Sequence, residues 1–403
     1  MNKEITNCRL CDSRLLIKII DLKNQPPANS LHKKNEKIKK FPLILLFCKK
    51  CSTAQLSISL NPKYLFRKYF WVTSTSSTAK NHSLFFFKKM SKYLTKKSHI
   101  IEIASNDGTF LKPFIKNGHS VLGIDPAINI AKIANSKGIN TIAEFFNYSL
   151  SKKLKKKYNE NKVIFARNVI PHVTNIDSVV SGISNLSEKK TIVAIEFHYS
   201  KDILLDLQYD SIYHEHIFYF TIKTISTLFK KHNLHPFDVF KSPISGGSLV
   251  LLFSKEKIEK SNLLKKMEFN EKKLKINSLE NWKKFGKKSI IHANRFKNDV
   301  IKNMSTNTKI FGYGASARSS TLLNFCDLNH SKIDFIIDQN LLKQNLYTPG
   351  TNIPIYSFQK VEKKIRNMKM VLLAWNFKNE ILKYMKSKKF KNKIIIPLKK
   401  NDI

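Results

Sequence analysis

No stretch of this 403-residue chain is apolar enough to cross a bilayer. The most apolar early run, FPLILLF from Phe41 to Phe47, is far shorter than the roughly 20 residues a spanning helix needs. Nor does an apolar leader follow Met1, where MNKEITNCRLCD is polar throughout. The expectation is a soluble, cytoplasmic protein with no membrane partner. Acidic residues are scarce: 29 Asp and Glu face 72 Lys and Arg, a formal net charge of +43. Such a surplus raises nucleic acid as a partner. A phosphate-tracking surface, however, concentrates its charge, interleaves aromatics and favours Arg. Here lysines accompany Ile and Asn through every segment, and those of KKLKKKY (Lys152 to Tyr158) read as a solvated helix face. Compositional drift, with no specific nucleic-acid partner, is the expectation.

Cysteine is sparse too, at five residues. Four form the pairs Cys8-x-x-Cys11 and Cys48-x-x-Cys51. In a reducing compartment each such knuckle places two thiolates on one side of a metal, which suits a tetrahedral structural zinc. The spacer between the knuckles is longer than in a typical zinc ribbon, and a disulfide or redox pair is the alternative. Cys326, in LLNFC, reads as a small buried hydrophobe.

Four regions follow from composition. Residues 1–69 are loop-rich, too small for much core, and expected to need the metal to fold. Residues 70–254 alternate strand and helix patterns. Residues 255–303, rich in Lys and poor in Gly and Pro, read as a helical connector, and residues 304–403 as a second β/α unit. The fold class is therefore α/β.

The middle region runs strand HIIEIA, turn SNDG, helix TFLKPFIKNG and strand SVLGID, ending in Asp125. This order is one nucleotide-binding half of a doubly wound sheet, with the acid placed to hold ribose hydroxyls. The dinucleotide fingerprint GxGxxG is missing. In its place Glu102-x-Ala104-x-Asn106-Asp107-Gly108 resembles the ExGxNxG motif of class I S-adenosylmethionine-dependent methyltransferases, with Ala104 at the usual first glycine. A cofactor without phosphates needs no pyrophosphate loop. The last region repeats the unit: KIFGYGA, SARSSTLLNFC, then IDFIID ending at Asp338. Its Gly312-x-Gly314 is a weak signal, and a structural domain binding no second cofactor is expected there.

The stretch YHEHIFYF, Tyr213 to Phe220, sets a glutamate between two histidines. It is not an HExxH zinc site, because residue 218 is phenylalanine. A polar patch that merely packs is the alternative to a catalytic role. Taken in order, CRLCDS, DLKNQPPANS, CKKCSTAQL, EIASNDGTFL, YHEHIFYF, GGSLV, GYGASARSSTLLN, TPGTNIPI and LLAWNF span nearly the whole chain. Together they resemble the sugar C-methyltransferases, which have a zinc-binding N-terminal domain, a methyltransferase domain and a C-terminal pseudo-repeat.

The resemblance implies zinc on Cys8, Cys11, Cys48 and Cys51. It implies S-adenosylmethionine against Ala104, Ser105, Asn106, Asp107, Gly108, Asp125 and Asn168. Asn168, His172, Tyr213, Glu215 and His216 would form the catalytic pocket, with Tyr69 reaching in from the segment after the zinc domain, where Trp71 competes for the place. Arg318 would join Asn168 on the substrate, although relatives often carry Lys there and Gly at the place of Ser319. Family members methylate nucleotide-linked 4-ketodeoxysugars, so a nucleotide-sugar is the implied partner. A carbon beside a ketone must lose a proton before it attacks a methyl group, which demands a base and a donor for the enolate oxygen. His216 or Glu215 is expected as that base, with His172 and Tyr213 orienting the sugar. The rival readings are a zinc-containing nucleic-acid-binding protein and a nucleic-acid methyltransferase. The latter usually shows (D/N)PP(Y/F) after its fourth strand, where this chain has RNVIPH.

Overall fold

The computed structural model describes residues 4–67, 72–158, 162–242, 246–304 and 309–398; Tyr69 and Trp71 lie outside them. Three sheets organise the chain. The first is antiparallel: Leu16–Gln25, Phe41–Cys48, Ala54–Leu56 and, from far along the sequence, Phe218–Tyr219. Leu43, Leu45 and Phe47 alternate inward along the second strand, the period-two pattern of a sheet with one buried face. Ala54 pairs with Tyr219 and Gln55 with Phe218, so the segment after the histidines completes the sheet that carries the cysteines.

The second sheet has seven strands, in the order His235–Ser242, Ser248–Ser254, Ile192–His198, Lys162–Arg167, His99–Ile103, Ser120–Ile124 and Thr141–Ile142. Ser248–Ser254 runs antiparallel to both its neighbours, and the strands from Ile192–His198 to Thr141–Ile142 pair in parallel. All seven residues of Ile192–His198 are buried, as expected for a strand covered on both faces. The helix expected at TFLKPFIKNG is shorter, Lys112–Lys116, and takes Pro113 in its first turn, where no backbone donor is needed. Lys152, Lys153, Lys156 and Lys157 are exposed on helix Tyr148–Lys157, while Leu150 and Leu154 face inward.

The third sheet is all parallel: Ile355–Tyr356, Ile336–Ile337, Ile310–Tyr313, Lys369–Leu372 and Ile394–Ile395. It repeats a detail of the second. Asp125 Oδ2 accepts from the amide of Asn106 at 2.8 Å, and Asp338 Oδ2 from that of Ala315 at 2.9 Å.

Helices Asn262–Lys273 and Leu279–Lys302 connect the second and third sheets in sequence. The longer one buries Trp282, Phe285, Gly286, Ser289, His292, Ala293, Phe296 and Val300, a stripe at helical spacing. A Cβ at Gly286 would sit 2.2 Å from the carbonyl oxygen of Ile19, so only glycine lets this helix lie against the first strand. Trp282 packs on Phe47 with ring centroids 6.2 Å apart, and one core joins the first sheet, this helix and the third sheet. Among the described residues no helix is long and apolar enough to cross a membrane.

Candidate active site

The turns after Ile103, Ile124, Arg167 and His198 share the carboxyl edge of the seven-stranded sheet, where open α/β sheets hold ligands. A cavity of about 1030 Å³ opens there, lined by strand ends of this sheet and by loops and helices that adjoin the other two. That lies at the upper end of the range of about 300–1,000 Å³ usual for small-molecule sites.

One side is built from the loop after His99–Ile103. Ala104 (φ 57°), Asn106 (φ 50°) and Asn168 (φ 51°) adopt left-handed backbone, and they line the cavity with Asp125. Asp125 is pinned: Oδ2 accepts from Asn106 N and Oδ1 from Ala127 N at 2.9 Å. Burial pushes its carboxyl up, and the amides of Ala127 and Asn106 oppose that shift. An ionised carboxylate offers about four acceptor positions, so two remain for ribose hydroxyls. Of the five loop residues expected at the cofactor, Ser105, Asp107 and Gly108 do not line the cavity. Asp107 accepts from Thr109 Oγ1 at 2.7 Å and pairs with Lys137 at 3.1 Å. Gly108 (φ +72°) faces Ile139, whose Cδ1 would lie 2.5 Å from an added Cβ. The positive φ and the close approach of Ile139 require glycine in this turn.

Behind this side lies an ionic cluster with no local sequence signal. Arg167 Nε donates to Glu196 Oε2 at 2.8 Å, and Ser242 Oγ donates to Glu196 Oε1 at 2.6 Å, with His82 Nε2 at 3.2 Å. Burial pushes the Glu196 carboxyl up, but Arg167, His82 and Ser242 together hold it at about 2. Glu102 lies 3.5 Å from the same guanidinium, and burial holds its carboxyl well above the usual range.

The other side explains YHEH. The turn closes with His216 N donating to Tyr213 O at 2.8 Å, which sends its two outer and its two inner side chains to different sides. Tyr213 and His216 line the cavity, and their rings meet at 4.0 Å. His216 Nδ1 lies 2.9 Å from the carbonyl oxygen of Ser211, which can only accept; the proton of the neutral ring is therefore on Nδ1. Nε2 is then the acceptor for the Tyr213 hydroxyl at 2.7 Å. Burial, with the neighbouring imidazoles, holds His216 well below its ordinary pKa. His214 and Glu215 point instead to the N-terminal segment. His214 Nε2 faces Pro42 O at 3.2 Å, and Glu215 Oε1 accepts from Asn29 Nδ2 at 3.0 Å. Of the two candidate bases, His216 thus faces the cavity and Glu215 the N-terminal segment.

His172 joins the cavity edge-on to His216, ring centroids 4.8 Å apart, and burial pushes its pKa down to about 4. His198, which sequence reasoning missed, ends its strand at the same wall. Arg318 lines the cavity, but its Nε and Nη2 donate to both oxygens of Asp210 at 3.1 and 2.8 Å. Its guanidinium also lies over Trp375, whose Nε1 donates to Asp210 Oδ2 at 2.7 Å. The guanidinium expected on the substrate is thus paired with a buried carboxylate.

The four paired cysteines converge as expected. Their sulfurs all lie within 4.8 Å of one another, with Cys8–Cys51 and Cys11–Cys48 at 3.6 Å. Zinc–sulfur bonds of about 2.3 Å give tetrahedral sulfur separations near 3.8 Å, so the cluster fits a structural zinc. Gln55 Nε2 donates to Cys8 Sγ at 3.0 Å, the kind of outer hydrogen bond that steadies a ligand thiolate.

Three family models cover successive parts of the chain: "Putative zinc binding domain" at residues 8–66, "Methyltransferase domain" at 82–237 and "C-methyltransferase C-terminal domain" at 243–398. The C-methyltransferase NovU of Streptomyces niveus is 27% identical over 391 residues, covering 94% of this chain and 92% of that protein. Among solved structures, the PH0226 protein of Pyrococcus horikoshii OT3 shares 13% identity, covering 49% of this chain and 97% of its own (TM-score 0.38). Magnesium protoporphyrin IX methyltransferase (ChlM) of Synechocystis PCC 6803, with bound SAH, shares 9% identity over 44% of this chain and 81% of its own (TM-score 0.34). The sheet order, the loop with its acid and the central family model define a class I methyltransferase dependent on S-adenosylmethionine. Its flanking regions match the zinc-binding and C-terminal domain models.

Proposed function

We propose that this methyltransferase acts on a carbon beside the ketone of a nucleotide-linked keto-deoxysugar. The observation that carries the reading is the neutral imidazole–phenol pair, His216 and Tyr213, inside the methyltransferase cavity. The full-length likeness to a C-methyltransferase supports a carbon acceptor.

When bound, S-adenosylmethionine supplies an electrophilic methyl group on its sulfonium. Asp125 and the loop at Ala104 and Asn106 would hold its ribose end. His216 enters the reaction unprotonated, because burial excludes the imidazolium. It removes the proton from the substrate carbon at Nε2, the position where Tyr213 now donates. The enolate that forms beside the ring raises its proton affinity, which offsets the desolvation that held it low. Tyr213 and His172 line the space around the enolate oxygen, and Tyr213 supplies a hydroxyl donor to it. Helix Ala317–Phe325 begins at the cavity, which Lys343 also lines, and the nucleotide's diphosphate would lie there.

The test is incubation with methyl-labelled cofactor and a panel of nucleotide-linked ketosugars, with mass spectrometry and carbon-13 NMR to locate the label. Label on a carbon next to the carbonyl supports the reading. Label on oxygen or nitrogen, or transfer only to nucleic acid, overturns it.

A further inference from the structure

The hydrogen-bonding state of His198, like that of His216, is decided by its neighbours. Gln208 Nε2 donates to the carbonyl oxygen of Gly246 at 2.9 Å, and its Oε1 accepts from Arg318 Nη2 at 2.9 Å. A carbonyl oxygen can only accept and a guanidinium can only donate, so the amide of Gln208 cannot be turned around. The same Oε1 lies 2.9 Å from His198 Nε2, which must therefore carry the proton. Arg318 is itself fixed by Asp210 and Trp375, so the orientation is inherited from a rigid chain of contacts reaching into the third sheet.

The other ring nitrogen follows by elimination. Burial, with the charge of Arg318, pushes the His198 pKa down to about 3, so the ring is neutral and Nδ1 is a bare lone pair. Among the described residues no donor reaches Nδ1, while the residue lines the cavity and its ring lies 6.4 Å from that of His216. A ring that resists protonation this strongly is a poor base for a carbon acid. It remains a good acceptor for a neutral donor.

We propose that Nδ1 of His198 is a specificity-determining acceptor for one hydroxyl group of the substrate's sugar ring. The inference rests on the reading that the cavity holds a sugar. A ligand that fills the space without that hydroxyl shuts water away from Nδ1 and leaves a buried acceptor unpaired, which disfavours it.

The experiment compares a nucleotide-linked 4-keto-6-deoxyhexose with analogues in which each free ring hydroxyl is replaced in turn by hydrogen or by fluorine. Fluorine keeps the size of a hydroxyl but cannot donate. At one position, wild-type kcat/KM is expected to fall about 10-fold or more for hydrogen and fluorine alike. The variant His198→Gln keeps an amide N–H for Gln208 and removes the Nδ1 acceptor. In it the discrimination at that position should shrink to within about 3-fold, with the affinity for S-adenosylhomocysteine unchanged. Wild-type tolerance of fluorine at every position overturns the inference, as does undiminished discrimination in a folded His198→Gln. Should that variant not fold, the wild-type fluorine series decides alone. Failure of any nucleotide-sugar to be methylated refutes the underlying functional reading instead, and the two failures are told apart by whether the parent sugar turns over.

Discussion

The division of YHEH into two faces can be tested by separating proton removal from methyl transfer. With S-adenosylhomocysteine in place of the methyl donor, a keto-sugar in deuterated water should exchange its α-proton through the base alone. His216→Asn removes the group whose Nε2 faces the cavity, and exchange should fall by roughly 10²–10⁴-fold, the usual scale for losing a general base. Glu215→Gln is isosteric, and its amide oxygen still accepts from Asn29 Nδ2, now 3.0 Å from the carboxylate. What is lost is the charge on one buried hydrogen bond, about 1–1.5 kcal/mol, so exchange should fall by about 10-fold or less. His216→Asn also strands the Tyr213 hydroxyl and the Ser211 carbonyl, so affinity for S-adenosylhomocysteine must be shown unchanged before the rate is read. NMR of the sugar's α-proton gives the rates directly. Loss of exchange in Glu215→Gln with retention in His216→Asn would refute the assignment.

Asp125→Asn should weaken cofactor binding by roughly 1–3 kcal/mol in calorimetry, the scale of a charged hydrogen bond lost; unchanged affinity would show that Asp125 serves only the amides of Asn106 and Ala127. Elemental analysis of protein purified without chelators should find about one zinc per chain, and a strong chelator should unfold the N-terminal sheet; a metal-free but fully folded protein would contradict that. The pH dependence follows from the buried imidazoles. His172 and His198 are neutral in the folded protein down to about 4 and 3, whereas in the unfolded chain they protonate near 6.5. Stability is therefore fully present above pH 6.5 and lost as pH falls below it, each unit of difference being worth about 1.4 kcal/mol. For the same reason the acid limb of kcat/KM should lie well below 6.5, where His216 finally protonates; denaturant titrations showing greater stability at pH 5 than at pH 7 would reverse the sign and refute this.

Much of the molecule was legible from local pattern alone. The cysteine spacing, the strand–turn–helix–strand–acid order and its repetition ending at Asp338 depend on residues close in sequence, whose periodicity and turn chemistry act before any tertiary contact forms. The lysine-rich face of KKLKKKY and the helical character of residues 255–303 were readable for the same reason. What required the tertiary structure was every decision about direction and partnership. Adjacency in YHEH left Glu215 and His216 as equal candidates for the base, but a turn sends neighbours apart, one to Asn29 and the other to Tyr213. Arg318 offered a free charge in the sequence and is matched in the fold by Asp210, 108 positions away. His198 carried no motif at all. Its tautomer is set by Gln208, which is set in turn by Gly246 and Arg318 from separate parts of the chain. Hydrogen-bond roles depend on which atoms meet, and only long-range packing brings those atoms together.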